Sequence, residues 1–158
     1  MKNDSKEGAF GQIRHVLREI PFFEEFTEDE LEFFSKNVSL RYFTEQTALF
    51  EKGDIGDYLF FIVEGTVDIR LESKETKQIV VATLSEGSCV GEMSLIDEYP
   101  RSATVVVTSS AELLLLTRNR FDRICGKNPA VGIKFLRGLA KSLSSRLRKT
   151  TGRFADLA

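Results

Sequence analysis

The chain has 158 residues, of which 42% are hydrophobic, and this is enough apolar material for one core. The formal net charge of −2 and the isoelectric point near 5.6 exclude a general attraction to nucleic acid or to an anionic membrane. No apolar run approaches the roughly 18 residues of a membrane span, and the start MKNDSKEG does not resemble a secretion signal. Because Cys89 and Cys125 are isolated and form no CxxC pair, we expect a reducing, cytoplasmic location. The length predicts a single domain, residues 1–158, and the charge predicts that any anion is bound at a local site.

Two helices are predicted near the start of the chain, over about residues 9–38. The apolar residues of AFGQIRHVLREI recur at helical spacing on one face, and Pro21 ends this helix. Thr27 and Glu30 have the spacing of a capping box, which predicts the start of a second helix. The residues predicted for its buried face are Leu31, Phe34 and Val38.

From Leu40 the apolar residues recur with a period of two, which is typical of β-strands. We predict seven or eight short strands over about residues 40–117, separated by glycine-containing turns. Glu64 and Gly65 are predicted to form a two-residue hairpin connection. The fold class is therefore mainly β with flanking helices: an antiparallel jelly-roll barrel, or a related sandwich, with N-terminal helices and a long C-terminal helix.

The helical period returns over about residues 118–155. Asn128 and Pro129 are predicted as the N-cap and first residue of the long last helix. Apolar residues then alternate at spacings of four and three, which predicts pairing with a second copy of the helix and hence a homodimer. In the alternative, the helix packs against its own barrel. The seam residues are Leu136, Ala140, Leu143, Leu147, Thr150, Phe154 and Leu157.

The stretch VGEMSLIDEYPRSATV interrupts the strands with one glutamate and one arginine. Gly91 permits close backbone approach, and SLID is long enough for a helical turn whose amides, near Met93 and Ser94, point at an anion. Arg101 adds a fork of donors to the same anion, whereas Glu92 accepts hydrogen bonds and suits a hydroxyl. A phosphate beside a sugar hydroxyl is a nucleotide, and one arginine without a P-loop suits a single phosphate.

The segment GEMSLIDEYPRSAT resembles the phosphate-binding cassette of the cyclic nucleotide-binding domain family. VLREIPFFEEFTEDEL resembles the entry helices of this family, and LFEKGDIGDYLFFIVEGTVDI resembles its glycine-marked early strands. FLRGLAKSLSSRLRKTT resembles the hinge helix of the bacterial cyclic-AMP receptor proteins. The matching segments follow one another in order and cover most of the chain.

The resemblance implies roles for the residues of this stretch. Arg101 is the expected partner of the cyclic phosphate, with Ser102 and the turn at Met93 and Ser94 adding hydrogen bonds. Glu92 is expected to bind the ribose 2′-hydroxyl. The implied ligand is cyclic AMP, with cyclic GMP as the alternative, and neither a metal nor a separate cofactor is implied.

The resemblance also implies contacts with the base. Ile69 and Val81 fall where the family packs apolar side chains against the base, although ordinary barrel core explains them equally well. Arg146, Thr150 and Thr151 match an arginine followed by two hydroxyl residues near the base in the receptor proteins. The preference for adenine depends on these two threonines, because Ser102 is compatible with both bases.

The sequence favours a sensor over an enzyme. His15 is the one histidine, in the first helix, and neither cysteine has a nearby base, so metal and nucleophilic catalysis lack their residues. A barrel that has lost its ligand and serves as a dimerisation or interaction module is the alternative, against which Glu92 and Arg101 both argue. Receptor proteins that act on DNA continue into a helix-turn-helix domain, and this sequence stops at Ala158. We therefore expect no direct contact with nucleic acid or membrane. Binding is expected to change how the C-terminal helix packs, either in the homodimer or against an unidentified protein partner.

Overall fold

The computed structural model describes residues 2–73 and 77–156 and divides into two compact units, Met1–Phe121 and Asp122–Ala158. Helix α1 (Lys2–Glu19) begins earlier than the sequence predicts and ends before Pro21, which starts a 3-10 turn at Pro21–Phe23. Helix α2 (Glu28–Ser35) starts at the predicted capping box. There the Glu30 amide donates to Thr27 Oγ1 at 3.3 Å, and the Thr27 amide donates to Glu30 Oε2 at 2.8 Å.

Phenylalanine rings join these helices to the sheet. Phe23 is buried, and its ring centroid lies 5.0 Å from that of Phe34 in α2 and 5.1 Å from that of Phe61 in the sheet. Phe26 packs edge-on against Phe23 at 5.1 Å. Such pairs stabilise the fold beyond the area they bury. The N-terminal helices are therefore anchored to the sheet by aromatic packing.

Six strands form one antiparallel sheet within the described residues, with the order β1-β6-β3-β4 and with β2 paired to β6 and β5 paired to β3. Between β5 and β6 lies a short helix, α3. The predicted fold class, antiparallel β of jelly-roll type with flanking helices, is confirmed by this arrangement. The strands are β1 (Ser39–Phe43), β2 (Ala48–Phe50), β3 (Tyr58–Glu72), β4 (Gln78–Leu84), β5 (Cys89–Val90) and β6 (Thr104–Thr117), and α3 is Glu92–Asp97.

The predicted hairpin at Glu64 and Gly65 is wrong, and so is the number of seven or eight short strands. Strand β3 continues through both residues, and its register with β6 shifts on either side of Glu64. Gly65 has φ of +93°, and a β-carbon there would lie 2.6 Å from the carbonyl oxygen of Ser110. The glycine therefore makes a β-bulge that bends a long strand instead of a turn that ends it. Two pairs of predicted strands consequently merge into β3 and β6.

The side chains enclosed by the sheet form one apolar cluster. Its buried members come from β2, β3, β5 and β6, and Tyr58 and Ile69 are partly buried against it. This packing holds the ends of β5 and β6 in place, and these ends flank the predicted cassette. The buried residues of the cluster are Leu49, Phe50, Phe60, Ile62, Val67, Val90, Val105, Val107, Ala111 and Leu113.

The second unit is helical. Helix α4 (Arg118–Lys127) leads into it, and α5 (Pro129–Asp156) forms most of it. The predicted cap is confirmed, because Asn128 Oδ1 accepts from the Val131 amide at 3.3 Å. Along the predicted seam, Leu136 is 39% exposed and Leu147 is 68% exposed, while the side chain of Phe154 and all of Leu157 lie outside the described residues. In the described part of the chain, no helix has both the length and the apolar character needed to cross a membrane.

Candidate functional site

The predicted cassette begins where β5 stops. Gly91 has φ of +84°, and a β-carbon there would lie 2.7 Å from Arg101 Nη1, so both the backbone angle and the space favour glycine. Helix α3 follows at once and ends at Glu98, whose φ of +62° is left-handed. The helical turn predicted for this stretch is confirmed.

Arg101 lies inside this segment, with only 3% of its surface exposed. Its Nη1 donates to the carbonyl oxygen of Gly91 at 2.9 Å, and its Nη2 donates to that of Tyr58 at 2.7 Å. Its own amide donates to the carbonyl of Asp54 at 2.8 Å, which ties the cassette to the loop before β3. The guanidinium is therefore fixed by backbone carbonyls at the base of the cassette.

The charge of Arg101 has no matching carboxylate in an ion pair within the described residues. Its Cζ lies 3.9 Å from the ring centroid of Phe50 and 4.6 Å from that of Tyr58, and its Nε is buried without a hydrogen-bond acceptor. Burial lowers the pKa of the guanidinium, against the smaller opposing effects of Tyr58, Asp57 and Asp54. A buried cation with an unused N–H is expensive unless an anion binds it.

A second glycine, Gly56 in the loop before β3, packs directly against the cassette residues Ser94 and Arg101. A β-carbon at Gly56 would lie 2.3 Å from Ser94 Cβ and 2.8 Å from Arg101 Nε. The loop backbone can approach the arginine this closely only because no side chain is present. The predicted site residues Gly91, Ser94 and Arg101 are thereby brought together with a glycine that the sequence marks only as part of a turn.

The other predicted cassette residues differ in exposure. Glu92 and Ser94 are buried in the first turn of α3, whereas Met93 and Ser102 face solvent. Ser102 Oγ lies 3.9 Å from Met93 Sδ, a weak contact that leaves the hydroxyl available to a ligand. An exposed hydroxyl and a buried carboxylate thus lie at the two ends of one short segment, and both lie close in sequence to Arg101.

Ile69 and Val81, predicted against the base, have different surroundings. Ile69 packs against the apolar cluster, opposite Ala82 of β4. Val81 is 44% exposed, as are its neighbours Ile79 and Val80 at 51% and 49%, because β4 lies at the edge of the sheet. Ile69 is thus accounted for by core packing, while Val81 is a partly exposed apolar residue.

Arg146, Thr150 and Thr151 belong to α5, in the second unit. Thr150 Oγ1 donates to the carbonyl of Arg146 and Thr151 Oγ1 donates to that of Leu147, both at 3.0 Å. Both threonines are exposed. Each hydroxyl proton is used within the helix, and each hydroxyl oxygen retains its lone pairs.

The sequence analysis misses Arg118, the first residue of α4. Its Nη2 donates to the carbonyls of Ser94 at 2.6 Å and Gly56 at 3.2 Å. Its Nη1 donates to the carbonyl of Leu95 and pairs with Glu98 Oε1, both at 3.1 Å. Nothing in the polar run TRNRF distinguishes this arginine from its neighbours, because its partners are backbone atoms that are distant in sequence.

The described residues contain no group of three or more histidine, cysteine, aspartate or glutamate side chains able to hold a metal ion. The residues of the predicted cassette comprise a buried arginine, a short helix and a buried carboxylate, beside the jelly-roll sheet. The donors of this cassette suit one phosphate, and Glu92 suits a hydroxyl.

Comparison with known proteins defines the family. The family model described as the cyclic nucleotide-binding domain matches residues 40–128, which is more than half of this 158-residue chain and includes the whole cassette. The chain belongs to the cyclic nucleotide-binding domain family.

Three relatives show how far the similarity extends. The cAMP-activated global transcriptional regulator CRP of Salmonella typhimurium is 26% identical over 133 residues, which are 84% of this chain and 61% of that protein. The cAMP-dependent protein kinase regulatory subunit of Mycosarcoma maydis is 34% identical over 138 residues, 84% of this chain and 25% of the subunit. A cyclic nucleotide-binding domain from Methylobacillus flagellatus superposes with a TM-score of 0.83 at 27% identity, covering 94% of this chain and 84% of that one. The chain thus spans about three fifths or less of the two curated relatives.

Proposed function

We propose that this chain is a non-catalytic sensor domain that binds cyclic AMP at the cassette. The observation that carries the proposal is Arg101, which is buried, lacks an ion-pair partner within the described residues and has an Nε–H without an acceptor. Of the five N–H donors of a guanidinium, two are used on carbonyls, so a phosphate can bind without breaking those bonds. The cytoplasmic location expected from the sequence stays a prediction.

The remaining cassette residues take the roles that the family resemblance implies. Glu92 accepts the ribose 2′-hydroxyl, and the amides near Met93 and Ser94 bind the cyclic phosphate together with Ser102. Support for this division comes from burial, because Glu92 is buried while Ser102 is exposed. A carboxylate accepts hydrogen bonds only, so it suits the sugar and repels the phosphate.

Adenine is the proposed base. The hydroxyls of Thr150 and Thr151 donate to their own helix, so their oxygens are free to act as acceptors. The exocyclic amino group of adenine donates hydrogen bonds, whereas the equivalent oxygen of guanine needs a donor. Both the Salmonella regulator and the Mycosarcoma subunit are named for their response to cAMP, which is consistent with this choice.

Binding is proposed to be transmitted through α5, either to a second copy of this chain or to a protein partner. The exposure of Leu136 and Leu147 supports the first route, since these residues leave an apolar row on the helix surface. If nucleotide favours one arrangement of α5, dimerisation must favour nucleotide to the same degree. Such linkage typically amounts to about 1–3 kcal/mol.

Isothermal titration calorimetry of the purified protein with cyclic AMP, cyclic GMP and 5′-AMP tests the proposal. Saturable binding of cyclic AMP, weaker binding of cyclic GMP and none of 5′-AMP is the expected result. Tighter binding of cyclic GMP would overturn the role of Thr150 and Thr151 in choosing the base. Binding of neither cyclic nucleotide would favour the alternative, a dimerisation or interaction module that has kept the fold and lost the ligand.

A further inference from the structure

The guanidinium of Arg118 joins three separate segments of the first unit. It donates to the carbonyls of Ser94 and Leu95, which lie in α3, and to the carbonyl of Gly56 in the loop before β3. The third segment is α4 itself, because Arg118 is its first residue and its amide donates to Asp57 at 2.7 Å. One side chain therefore connects the cassette helix, the loop beside it and the start of the next helix.

The contacts of Arg118 have a geometric consequence for Arg101. Gly56 accepts from Arg118, and the same glycine packs against Ser94 and against Nε of Arg101. The carbonyls of Ser94 and Leu95 belong to the last turn of α3. The Ser94 carbonyl also accepts from the Glu98 amide at 3.1 Å, and its second lone pair serves Arg118. A rigid, planar fork that binds these groups fixes the distance between α3 and the loop. The spacing between α3 and the Gly56 loop, which both adjoin Arg101, thus depends on Arg118.

We propose that Arg118 is the positioning residue of the cassette, and that through it a ligand bound at the cassette changes the first turn of α4. The second part rests on the proposed function, whereas the first part can be tested without ligand. Because Arg118 is hydrogen-bonded to the carbonyls of Ser94 and Leu95, a movement of α3 towards a bound anion displaces the Arg118 side chain as well. The movement is thereby transmitted to residues 118–121. The ion pair with Glu98 is secondary, because the Glu98 side chain is 76% exposed and such pairs contribute little.

Three variants separate these contributions. Arg118→Gln removes the fork, and Arg120→Gln is the matched control, since Arg120 lies in the same turn of α4 and is exposed. Glu98→Gln removes only the ion pair and leaves the three carbonyl bonds. The readout is hydrogen exchange of the Glu98 amide, which donates to the Ser94 carbonyl, measured without ligand. Arg118→Gln should speed this exchange about tenfold, whereas Arg120→Gln and Glu98→Gln should change it less than about threefold.

The positioning role is overturned if Arg118→Gln and Arg120→Gln give the same exchange rate for the Glu98 amide. It is also overturned if Glu98→Gln reproduces the effect of Arg118→Gln, because the ion pair would then carry the contact. Cyclic AMP affinity should follow the same order, falling about tenfold in Arg118→Gln.

The coupling has its own readout, made at saturating cyclic AMP so that weaker binding does not interfere. In the wild type, ligand should change the exchange of both α3 and residues 118–121. In Arg118→Gln, α3 should still respond while residues 118–121 no longer do, and a full response there would overturn the coupling. If the wild-type protein binds no cyclic AMP, the proposed function and the coupling both fail, and the ligand-free exchange still decides the positioning role.

Discussion

Replacing Arg101 by lysine tests the site most selectively, because the charge is kept and the fork is lost. The guanidinium holds the carbonyls of Gly91 and Tyr58 with two nitrogens and leaves Nε–H for a ligand. An ammonium has three donors that diverge from one atom, so it cannot bind both carbonyls and an anion in the same geometry. The substitution should therefore affect both the free protein and the complex.

The magnitude follows from the number of bonds. In the complex, at least one charge-assisted hydrogen bond to the phosphate is lost, which weakens cyclic AMP binding by about 1.5–3 kcal/mol. In the free protein one carbonyl loses its donor at a net cost of about 1 kcal/mol, which lowers the melting temperature by about 2–4 °C at this chain length. Calorimetry gives the first quantity and thermal unfolding gives the second.

Arg41→Lys is the matched control, because Arg41 is exposed on β1 and the same chemical change there should alter neither quantity. If Arg101→Lys binds cyclic AMP as tightly as the wild type, Arg101 does not contact the phosphate. A variant that fails to fold would instead show that the arginine is chiefly structural, and its melting curve distinguishes the two outcomes.

Three further substitutions test Glu92, Gly91 and the predicted seam of α5. Glu92→Gln should weaken cyclic AMP binding by less than the arginine substitution, since an amide still accepts from the ribose hydroxyl; a larger loss by calorimetry would reverse the two roles. Gly91→Ala should destabilise the fold by about 2–3 kcal/mol in denaturant unfolding, because φ is left-handed and Arg101 occupies the space that the methyl group needs. The control, Gly126→Ala, lies on the open surface of α4 and should stabilise the fold by about 0.5–1 kcal/mol. Equal effects of the two would contradict the cassette geometry. Leu143→Glu should give monomers in sedimentation velocity and weaken cyclic AMP binding about fivefold or more, whereas Ser145→Glu on the opposite face should do neither. A dimer that survives Leu143→Glu would show that α5 is not the interface.

Local signals in the sequence predict much of this fold. The capping box at Thr27 and the Asn128–Pro129 cap each depend on residues within a few positions, and both form as expected. The cassette is predictable for the same reason, because Gly91, the short helix and Arg101 lie in one short segment. Their chemistry and their order are visible without any knowledge of tertiary structure.

The remaining features depend on partners that are distant in sequence. Gly65 has the sequence context of a turn, and only its packing against Ser110 in β6 makes it a bulge. The sequence marks Gly56 only as a glycine of the turn before β3, and its packing against Ser94 and Arg101 follows from the fold. Arg118 has no local pattern, since its partners are carbonyls distant in sequence. The burial of Arg101 under the rings of Phe50 and Tyr58 is likewise a product of the folded sheet.

We expect the Nε–H of Arg101, which has no acceptor in the free protein, to bind the phosphate of a cyclic nucleotide. The most direct test of this binding is the nitrogen–proton correlation spectrum of the protein, with the Arg101 side-chain signal assigned by its absence in Arg101→Lys, recorded as cyclic AMP is added. Because this N–H has no acceptor in the free protein, its proton signal should move downfield as the phosphate binds, in step with the amides of Met93 and Ser94. A saturable response of other residues to cyclic AMP, with the Arg101 Nε–H signal unchanged, would place the ligand elsewhere and show that Arg101 does not bind the phosphate.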